Sequence, residues 1–135
     1  MTIEIKPEAW TQAHDAEVNA AFAGHAKSDA SGGLLEPTEY LRDGVFCRVW
    51  KEGQPVAWYV VMPHRHAHTL EIEIALAHGR ADIDLVADVL PLIEYQGREA
   101  DAIRVTTCRP GLIKKLKRVG YRCEAVVLRK KRGKA

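Results

Sequence analysis

Residues 68–90 are HTLEIEIALAHGRADIDLVADVL, and the spacing of the apolar residues changes within them. Four of these apolar residues alternate with other residues in the first half, namely Leu70, Ile72, Ile74 and Leu76. That period of two is typical of a strand with one buried and one polar face. From Ile83 onward apolar residues recur every three or four positions, which predicts a helix capped by Asp82. Pro91 should kink that helix, because proline has no backbone N–H to donate.

The segments on either side predict one α/β domain in which a mixed sheet carries helices on its faces. We expect about six strands, close to residues 3–5, 45–51, 55–62, 68–76, 102–107 and 121–129. We expect helices close to residues 10–25, 37–41, 83–96 and 112–119, and a loop at 27–33. Glu52-Gly53-Gln54 should join the second and third strands as a hairpin turn. The order is therefore β-α-(α)-β-β-β-α-β-α-β, with residues 1–129 as one domain and 130–135 as a basic tail.

Composition argues for a folded protein of the cytoplasm. The chain has 135 residues, of which 47% are hydrophobic and 28% charged, and this balance excludes a disordered chain. The N-terminal residues have no apolar targeting core, and we expect no association with a membrane. The three cysteines are odd in number and lack C-x-x-C spacing, which argues against a disulfide scaffold or a cysteine zinc site.

Charge is divided unevenly along the chain. Residues 1–108 hold 9 Lys and Arg against 17 Asp and Glu, a net charge of −8, whereas residues 109–135 hold 11 against 1, a net charge of +10. Such a division predicts that the C-terminal part meets an anion, which is a phosphate, an acidic protein surface such as that of a second copy of the chain, or nucleic acid. The alternative is that the basic segment faces the acidic part of its own domain and ends in a solvated tail. The candidate anion-binding or partner-binding residues are Arg109, Lys114, Lys115, Lys117, Arg118 and Arg122. The alternative is that these residues form the solvated side of a helix whose other side is apolar.

Residues 109–121, RPGLIKKLKRVGY, contain the pattern that carries a family resemblance. A helix that ends in an apolar residue, a glycine and an aromatic, here Val119-Gly120-Tyr121, is similar to the late helix of the GNAT superfamily of acetyl-CoA-dependent N-acetyltransferases. The predicted order of elements resembles that superfamily over nearly the whole chain. The resemblance implies a mixed, mainly antiparallel sheet with helices on both faces.

The resemblance also implies a site for the pyrophosphate of acetyl-CoA directly after the fourth strand. Family members place small residues there, so that backbone N–H groups at the start of a helix reach the phosphates. Gly79, Arg80 and Ala81 would be the cofactor-binding residues if acetyl-CoA were bound. The second glycine of the family pattern is missing, and the helix begins instead with Asp82 and Asp84, which should repel a pyrophosphate.

Catalysis in the family needs a proton donor for the CoA thiolate and a base for the amine. Where many members have a tyrosine donor, this chain has Leu116, which cannot donate a proton. The candidate bases are Glu71 and Glu73, on the polar face of the fourth strand. The alternative is that these two carboxylates are solvated or pair with the basic C-terminal segment.

His64, His66 and His68 form a His-x-His-x-His pattern, whose three rings would project to one side if the chain were extended there. Such imidazoles could hold zinc or copper. The position after Pro63, between two strands, favours an exposed turn instead, and we expect no metal.

Taken together, these residues predict a GNAT-like fold with a degenerate acetyl-CoA site, no bound cofactor, and a non-catalytic binding or structural role. One alternative is an active N-acetyltransferase that uses acetyl-CoA. Another is a module that binds nucleic acid through its basic C-terminal segment. The C-terminal third also resembles GNAT-like proteins of tailed-phage virions and their assembly, which implies a place in the virion if the chain is encoded by a phage.

Overall fold

The computed structural model describes residues 2–22 and 37–133. Along the chain these residues form β1 (Ile3–Glu8), α1 (Gln12–Phe22), a 3-10 turn (Pro37–Glu39) with the short helix α2 (Tyr40–Asp43), β2 (Val45–Lys51), β3 (Gln54–Arg65), β4 (Leu70–Gly79), a π turn (Leu85–Val89) that runs into α3 (Leu90–Gln96), β5 (Ala102–Val105) and α4 (Pro110–Arg118). The predicted loop at 27–33 and the predicted last turn of the first helix lie outside the described residues.

The five strands lie in the sheet in the order of the sequence, from β1 to β5. The first four are antiparallel, and β5 pairs with β4 in parallel. Glu52 and Gly53 make the turn between β2 and β3, and both have positive φ angles, of 53° and 80°. A two-residue turn with two positive φ angles has the twist that a right-handed hairpin needs.

The core is divided between the two faces of the sheet, as the predicted fold class requires. On one face, α3 and α4 pack on side chains that include Val49, Tyr59 and Ile74. On the other face, Val18 of α1 packs with a second group made up of Leu41, Phe46, Trp58, Val60 and Leu76. Helices therefore cover both faces, which confirms the predicted mixed, mainly antiparallel architecture.

A bulge in β4 corrects the prediction that its apolar residues share one face. Val60 pairs with Leu76 but Val61 pairs with Ile74, so Ala75 is an extra residue without an opposite partner. An extra residue reverses the alternation of side chains between the faces. Ile74 consequently lies in the core under α3, while Leu76 lies in the core under α1.

An ionic network fastens α1 to β1 and β2. The guanidinium of Arg48 donates to both Glu8 and Glu17, over 2.7–3.1 Å. His14, buried at the start of α1, accepts from the backbone N–H of Thr11 at Nδ1, and its Nε2 therefore donates to Glu8 over 3.0 Å. The hydrogen bonds from Arg48 lower the pKa of Glu8 and of Glu17, so both carboxylates are ionised at neutral pH.

The predicted sixth strand, Tyr121 to Arg129, is the main error in the sequence-based topology. Gly120, with a φ angle of +98°, ends α4, and the N–H of Tyr121 then donates to the carbonyl of Leu116. Residues 121–133 belong to no strand, and the sheet within the described part of the chain has five strands. None of the described helices is long and apolar enough to cross a membrane.

Candidate functional site

The two parallel strands β4 and β5 separate beyond their fourth paired residue, and a cavity opens between them. Their pairing covers only residues 71–74 of β4 and 102–105 of β5. Past this point Ala75–Ala77 and Thr106–Arg109 diverge, and the cavity between them has a volume of about 170 Å³. Its walls are mostly apolar side chains from β4, α3 and α4, including Leu116. Arg109 is the cationic residue among them.

Tyr59 closes the cavity from the sheet side. Its hydroxyl donates to Gln96 Oε1 over 2.6 Å, and the Gln96 amide in turn lies 3.9 Å from the sulfur of Cys47. Burial raises the pKa of the Tyr59 phenol and of the Cys47 thiol, so both groups keep their protons at neutral pH. The phenol proton of Tyr59 points to Gln96. Tyr59 therefore lines the cavity but does not donate its proton into it.

The loop after β4 contains the predicted cofactor residues Gly79, Arg80 and Ala81. A β-carbon on Gly79 would come within 3.1 Å of the Leu85 side chain, so the glycine permits close packing of the helix on the sheet. Arg80 forms two hydrogen bonds to Asp82, of 3.2 and 3.0 Å, and these hydrogen bonds lower the pKa of that aspartate. Ala81 is exposed in a turn. The one cation of the loop is thus already paired with a carboxylate.

The N-terminal N–H groups of the next helix are occupied by the chain itself. Asp84, rather than the predicted Asp82, is the capping residue: its Oδ1 accepts from the backbone N–H groups of Val86 and Ala87, over 3.1 Å each. The hydrogen bond from Ala87 is the main reason that the pKa of Asp84 is lowered. The Asp84 N–H donates to Asp88 over 3.2 Å. A carboxylate therefore fills the position at which the family resemblance implies a phosphate.

Glu73 is the most enclosed carboxylate of the sheet, with 8% of its surface exposed. It accepts hydrogen bonds from His64 Nε2 at 2.8 Å, Thr106 Oγ1 at 3.2 Å and Arg104 Nη2 at 3.3 Å. Burial raises the pKa of Glu73, but these donors together outweigh burial and hold the pKa below its ordinary value. Thr106 also lines the cavity, so Glu73 lies one side chain away from it.

Glu71 lies two residues before Glu73 and shares its partner Arg104, whose Nη1 is 3.3 Å from Glu71 Oε1. His66 Nε2 is 3.9 Å from the same oxygen. Both candidate bases are therefore paired within the sheet, and the alternative pairing with the basic C-terminal segment was wrong. β3 extends through Arg65, so His64 belongs to a strand and not to the predicted turn. Within the described residues no group of three potential ligands could hold a metal ion.

The predicted anion-binding residues differ in their surroundings. Arg109 lines the cavity, Lys115 lies 3.8 Å from Asp84, and Arg122 pairs with Glu124 in the C-terminal segment. The remaining three are exposed on α4, namely Lys114, Lys117 and Arg118. Leu116, in the position of the family's tyrosine donor, is 7% exposed and belongs to the core, as its helical spacing predicts.

Sequence reasoning missed three residues that shape the site: Asp88 supports the cap at Asp84, and Arg104 and Thr106 donate to Glu73. It named His64 only as a possible metal ligand, whereas the structure places His64 against Glu73. A signal for His64 was present, because the hairpin of β3 and β4 places it opposite Glu71. Arg104 and Thr106 reach Glu73 because β5 lies beside β4. That strand pairing cannot be predicted from a local pattern of residues.

Comparison with known proteins finds likeness in structure alone. No protein-family model matches the sequence, and no curated protein matches it significantly. A possible acetyltransferase from Clostridium difficile 630 is similar with a TM-score of 0.65 and 12% identity, over 98% of this chain and 99% of that one. The ribosomal-protein-alanine N-acetyltransferase from Brucella melitensis biovar Abortus 2308 follows with 0.64 and 11%, over 98% and 100%. An aminoglycoside N-acetyltransferase in complex with CoA has 0.61 and 13%, over 98% and 96%.

These similarities extend over 98% of the chain. At sequence identities of 11–13% they show a shared fold and not a shared activity. Two of the three structures named above are N-acetyltransferases and the third is a possible acetyltransferase, whereas the resemblance to phage assembly proteins stays a prediction without support. The order of the elements through α4 and the helices on both faces of the sheet agree with the resemblance found in the sequence. The chain has a divergent GNAT fold.

Proposed function

We propose that this chain is a GNAT-fold binding protein that neither holds acetyl-CoA by its pyrophosphate nor catalyses efficient acetyl transfer. The observation that carries the proposal is the Asp84 carboxylate, which takes the N–H groups of Val86 and Ala87. Those two groups are the donors with which a helix start would otherwise hold a phosphate.

Electrostatics around this helix start supports the proposal. A pyrophosphate would have to displace the Asp84 carboxylate and then lie near the carboxylates of Asp82 and Asp88. The two cations beside these carboxylates are already engaged, because Arg80 is bound to Asp82 and Lys115 lies 3.8 Å from Asp84. Cations that already neutralise carboxylates attract an added anion less, so we expect the helix start to bind a pyrophosphate weakly.

The catalytic groups point in the same direction. Leu116 offers no proton to a departing thiolate, and it is buried in the core. Glu73, the better placed base, already accepts hydrogen bonds from His64 and Arg104. A carboxylate with a lowered pKa is a weak base for an ammonium group.

One observation favours the alternative of an active acetyltransferase. The cavity between β4 and β5 is open, and Thr106 joins it to Glu73 by a hydrogen bond. In that case Gly79 and Arg80 would contact the cofactor, and Glu73 would take the proton of the amine. One of the similar structures is an aminoglycoside N-acetyltransferase in complex with CoA.

Calorimetric titration with acetyl-CoA, followed by a thiol-release assay with a panel of amines, separates the two functions. We expect no binding tighter than about 100 μM and no thiol release above the rate without enzyme. Asp84→Ala should increase the affinity for acetyl-CoA, because it frees two N–H groups and removes a negative charge. Glu99→Ala removes an exposed carboxylate beyond the other end of α3 and should change nothing. Binding at about 10 μM or tighter by the unaltered chain would establish the alternative.

A further inference from the structure

The cavity between β4 and β5 has the chemical character of a site for a small amphipathic anion. Its walls are mostly apolar side chains of β4, α3 and α4, and among the described residues that line it none is acidic and Arg109 is the cationic one. We propose that this cavity binds a monocarboxylate with an apolar body of about six carbons, and that Arg109 holds the carboxylate. The proposal rests on the proposed function, since it needs a cavity that CoA does not fill.

The volume of the cavity, about 170 Å³, sets the size of the apolar body. An apolar protein cavity of about 150 Å³ lined by Leu, Ile and Phe stays dry and binds benzene. Here the walls are of the same kind and include Ile74, Leu90 and Leu116. Each CH₂ group that leaves water for such walls should raise the affinity about fourfold. We therefore expect affinity to rise with chain length only until the cavity is full.

Arg109 lies at the rim of the cavity, and no carboxylate among the described residues pairs with its guanidinium. By contrast, Arg48, Arg80 and Arg104 each pair with a carboxylate of the chain. A guanidinium binds a carboxylate through two parallel hydrogen bonds. A single cation also matches a single negative charge, which favours a monocarboxylate over a phosphate ester with its larger charge.

The start of α4 adds donors beside Arg109. This residue precedes the helix without capping it, so the N–H groups of Gly111 and Leu112 have no acceptor within the helix. Thr107, which also lines the cavity, accepts from the Arg109 N–H over 3.1 Å, and its own hydroxyl proton can be directed to a ligand. At the start of the helix after β4, the Asp84 carboxylate already takes the N–H groups. Of these two helix starts, that of α4 is therefore the one that favours an added anion.

The rim lets a ligand enter while its charge stays near water. Ala77, Thr106 and Arg109 are exposed there. Glu73 lies behind Thr106, and its pairing with Arg104 reduces its repulsion of an anion. A carboxylate at the rim with its apolar body inside the cavity is the orientation that buries carbon without burying a charge.

An NMR titration of the full chain with hexanoate tests the proposal, with hexanol as the matched ligand without charge. We expect hexanoate to bind with a Kd of about 0.1–1 mM, and butanoate, which is two CH₂ groups shorter, to bind about fifteenfold more weakly. Octanoate should gain far less over hexanoate than hexanoate gains over butanoate. Hexanoate should shift the amides of Ala75 and Leu112, which line the cavity, and leave that of Ile5 in β1, at the other edge of the sheet, in place.

Arg109→Met removes the charge at the rim and keeps an unbranched side chain there. It should weaken the binding of hexanoate about tenfold and leave the binding of hexanol unchanged. The matched variant Arg118→Met alters an exposed arginine of α4 that does not line the cavity, and should change neither affinity.

Three results would overturn the carboxylate site. These are the absence of saturable shifts with hexanoate up to about 10 mM, equal affinities for hexanoate and hexanol, and undiminished binding of hexanoate by Arg109→Met. A parallel titration with acetyl-CoA separates this failure from that of the proposed function. If neither hexanoate nor acetyl-CoA binds, only the carboxylate site is wrong, whereas binding of acetyl-CoA at about 10 μM with displacement of hexanoate would overturn both.

Discussion

Glu73→Gln should destabilise the fold, because Glu73 is a nearly buried carboxylate surrounded by donors. The substitution keeps the shape of the side chain and removes its charge. The amide oxygen of glutamine can still accept from His64 and Arg104, and the amide NH₂ group can donate to the Thr106 hydroxyl, which turns to accept. What is lost is the negative charge, which strengthens the hydrogen bonds from all three donors.

The magnitude follows from the number of contacts and their exposure. A hydrogen bond to a charged group contributes about 1.5–3 kcal/mol, and up to three such bonds are affected. Arg104 is half exposed and can turn to water, so its share is small. We therefore expect a loss of about 1–3 kcal/mol in the free energy of unfolding at pH 7.

Urea unfolding at several pH values is the assay. Because the pKa of Glu73 in the folded chain is below its ordinary value of 4.5, its contribution is complete above that value. The contribution disappears as the pH falls through the lowered pKa, so the two proteins should converge in acid. Glu99→Gln, an exposed carboxylate changed in the same way, should cost less than about 0.5 kcal/mol. Equal stability of Glu73→Gln and the unaltered chain at pH 7, or a difference that grows in acid, would refute the reasoning.

Two further substitutions test the packing and the ionic network. Leu116→Ala should lower the free energy of unfolding in urea by about 2–3 kcal/mol, because it enlarges a cavity that Leu116 lines. A decrease of less than about 1 kcal/mol would show that this side chain is not in the core. Arg48→Met should cost about 2–3 kcal/mol, because Glu8 and Glu17 are left half-buried without their cation. The matched change Lys6→Met concerns an exposed pair and should cost less than about 0.5 kcal/mol; equal losses in the two variants would contradict the network.

The order and type of the elements were accessible from the sequence because each has a clear apolar period. The alternation in residues 70–76 predicts β4, and the later spacing predicts the helix that follows it. Pro91 was expected to kink that helix, and a π turn ends at Val89, directly before α3. Pro91 thus lies in the first turn of α3, where a residue without an N–H is tolerated.

Features that depend on pairing between strands were not accessible. The bulge at Ala75 changes which core Leu76 enters, and nothing in the sequence distinguishes Ala75 from its neighbours. The sixth strand was predicted from composition alone, because Val126 to Leu128 favour a strand wherever a partner edge exists. The composition of a segment indicates that it favours a strand, but it does not indicate which sheet edge the segment pairs with.

The candidate site was predicted in part. The charge of the carboxylates after β4 can be read from the sequence, and from it we predicted poor binding of a pyrophosphate. The sequence did not show which carboxylate caps the helix, and the structure places Asp84 there, not Asp82. Asp88, four residues further on, supports the choice of Asp84, because it accepts the Asp84 N–H. The cavity between β4 and β5 exists because these strands pair over only four residues. The length of that pairing cannot be read from the spacing of residues in the sequence.

The most direct test of the occupied helix start is an NMR titration of the full chain with acetyl-CoA, observing the backbone amides of Val86 and Ala87. Both N–H groups donate to Asp84 over 3.1 Å, so their signals should stay in place as the cofactor is added. Saturable shifts of these two amides, at a concentration where the amide of Thr69 in the turn at the opposite end of β4 stays unchanged, would contradict the account.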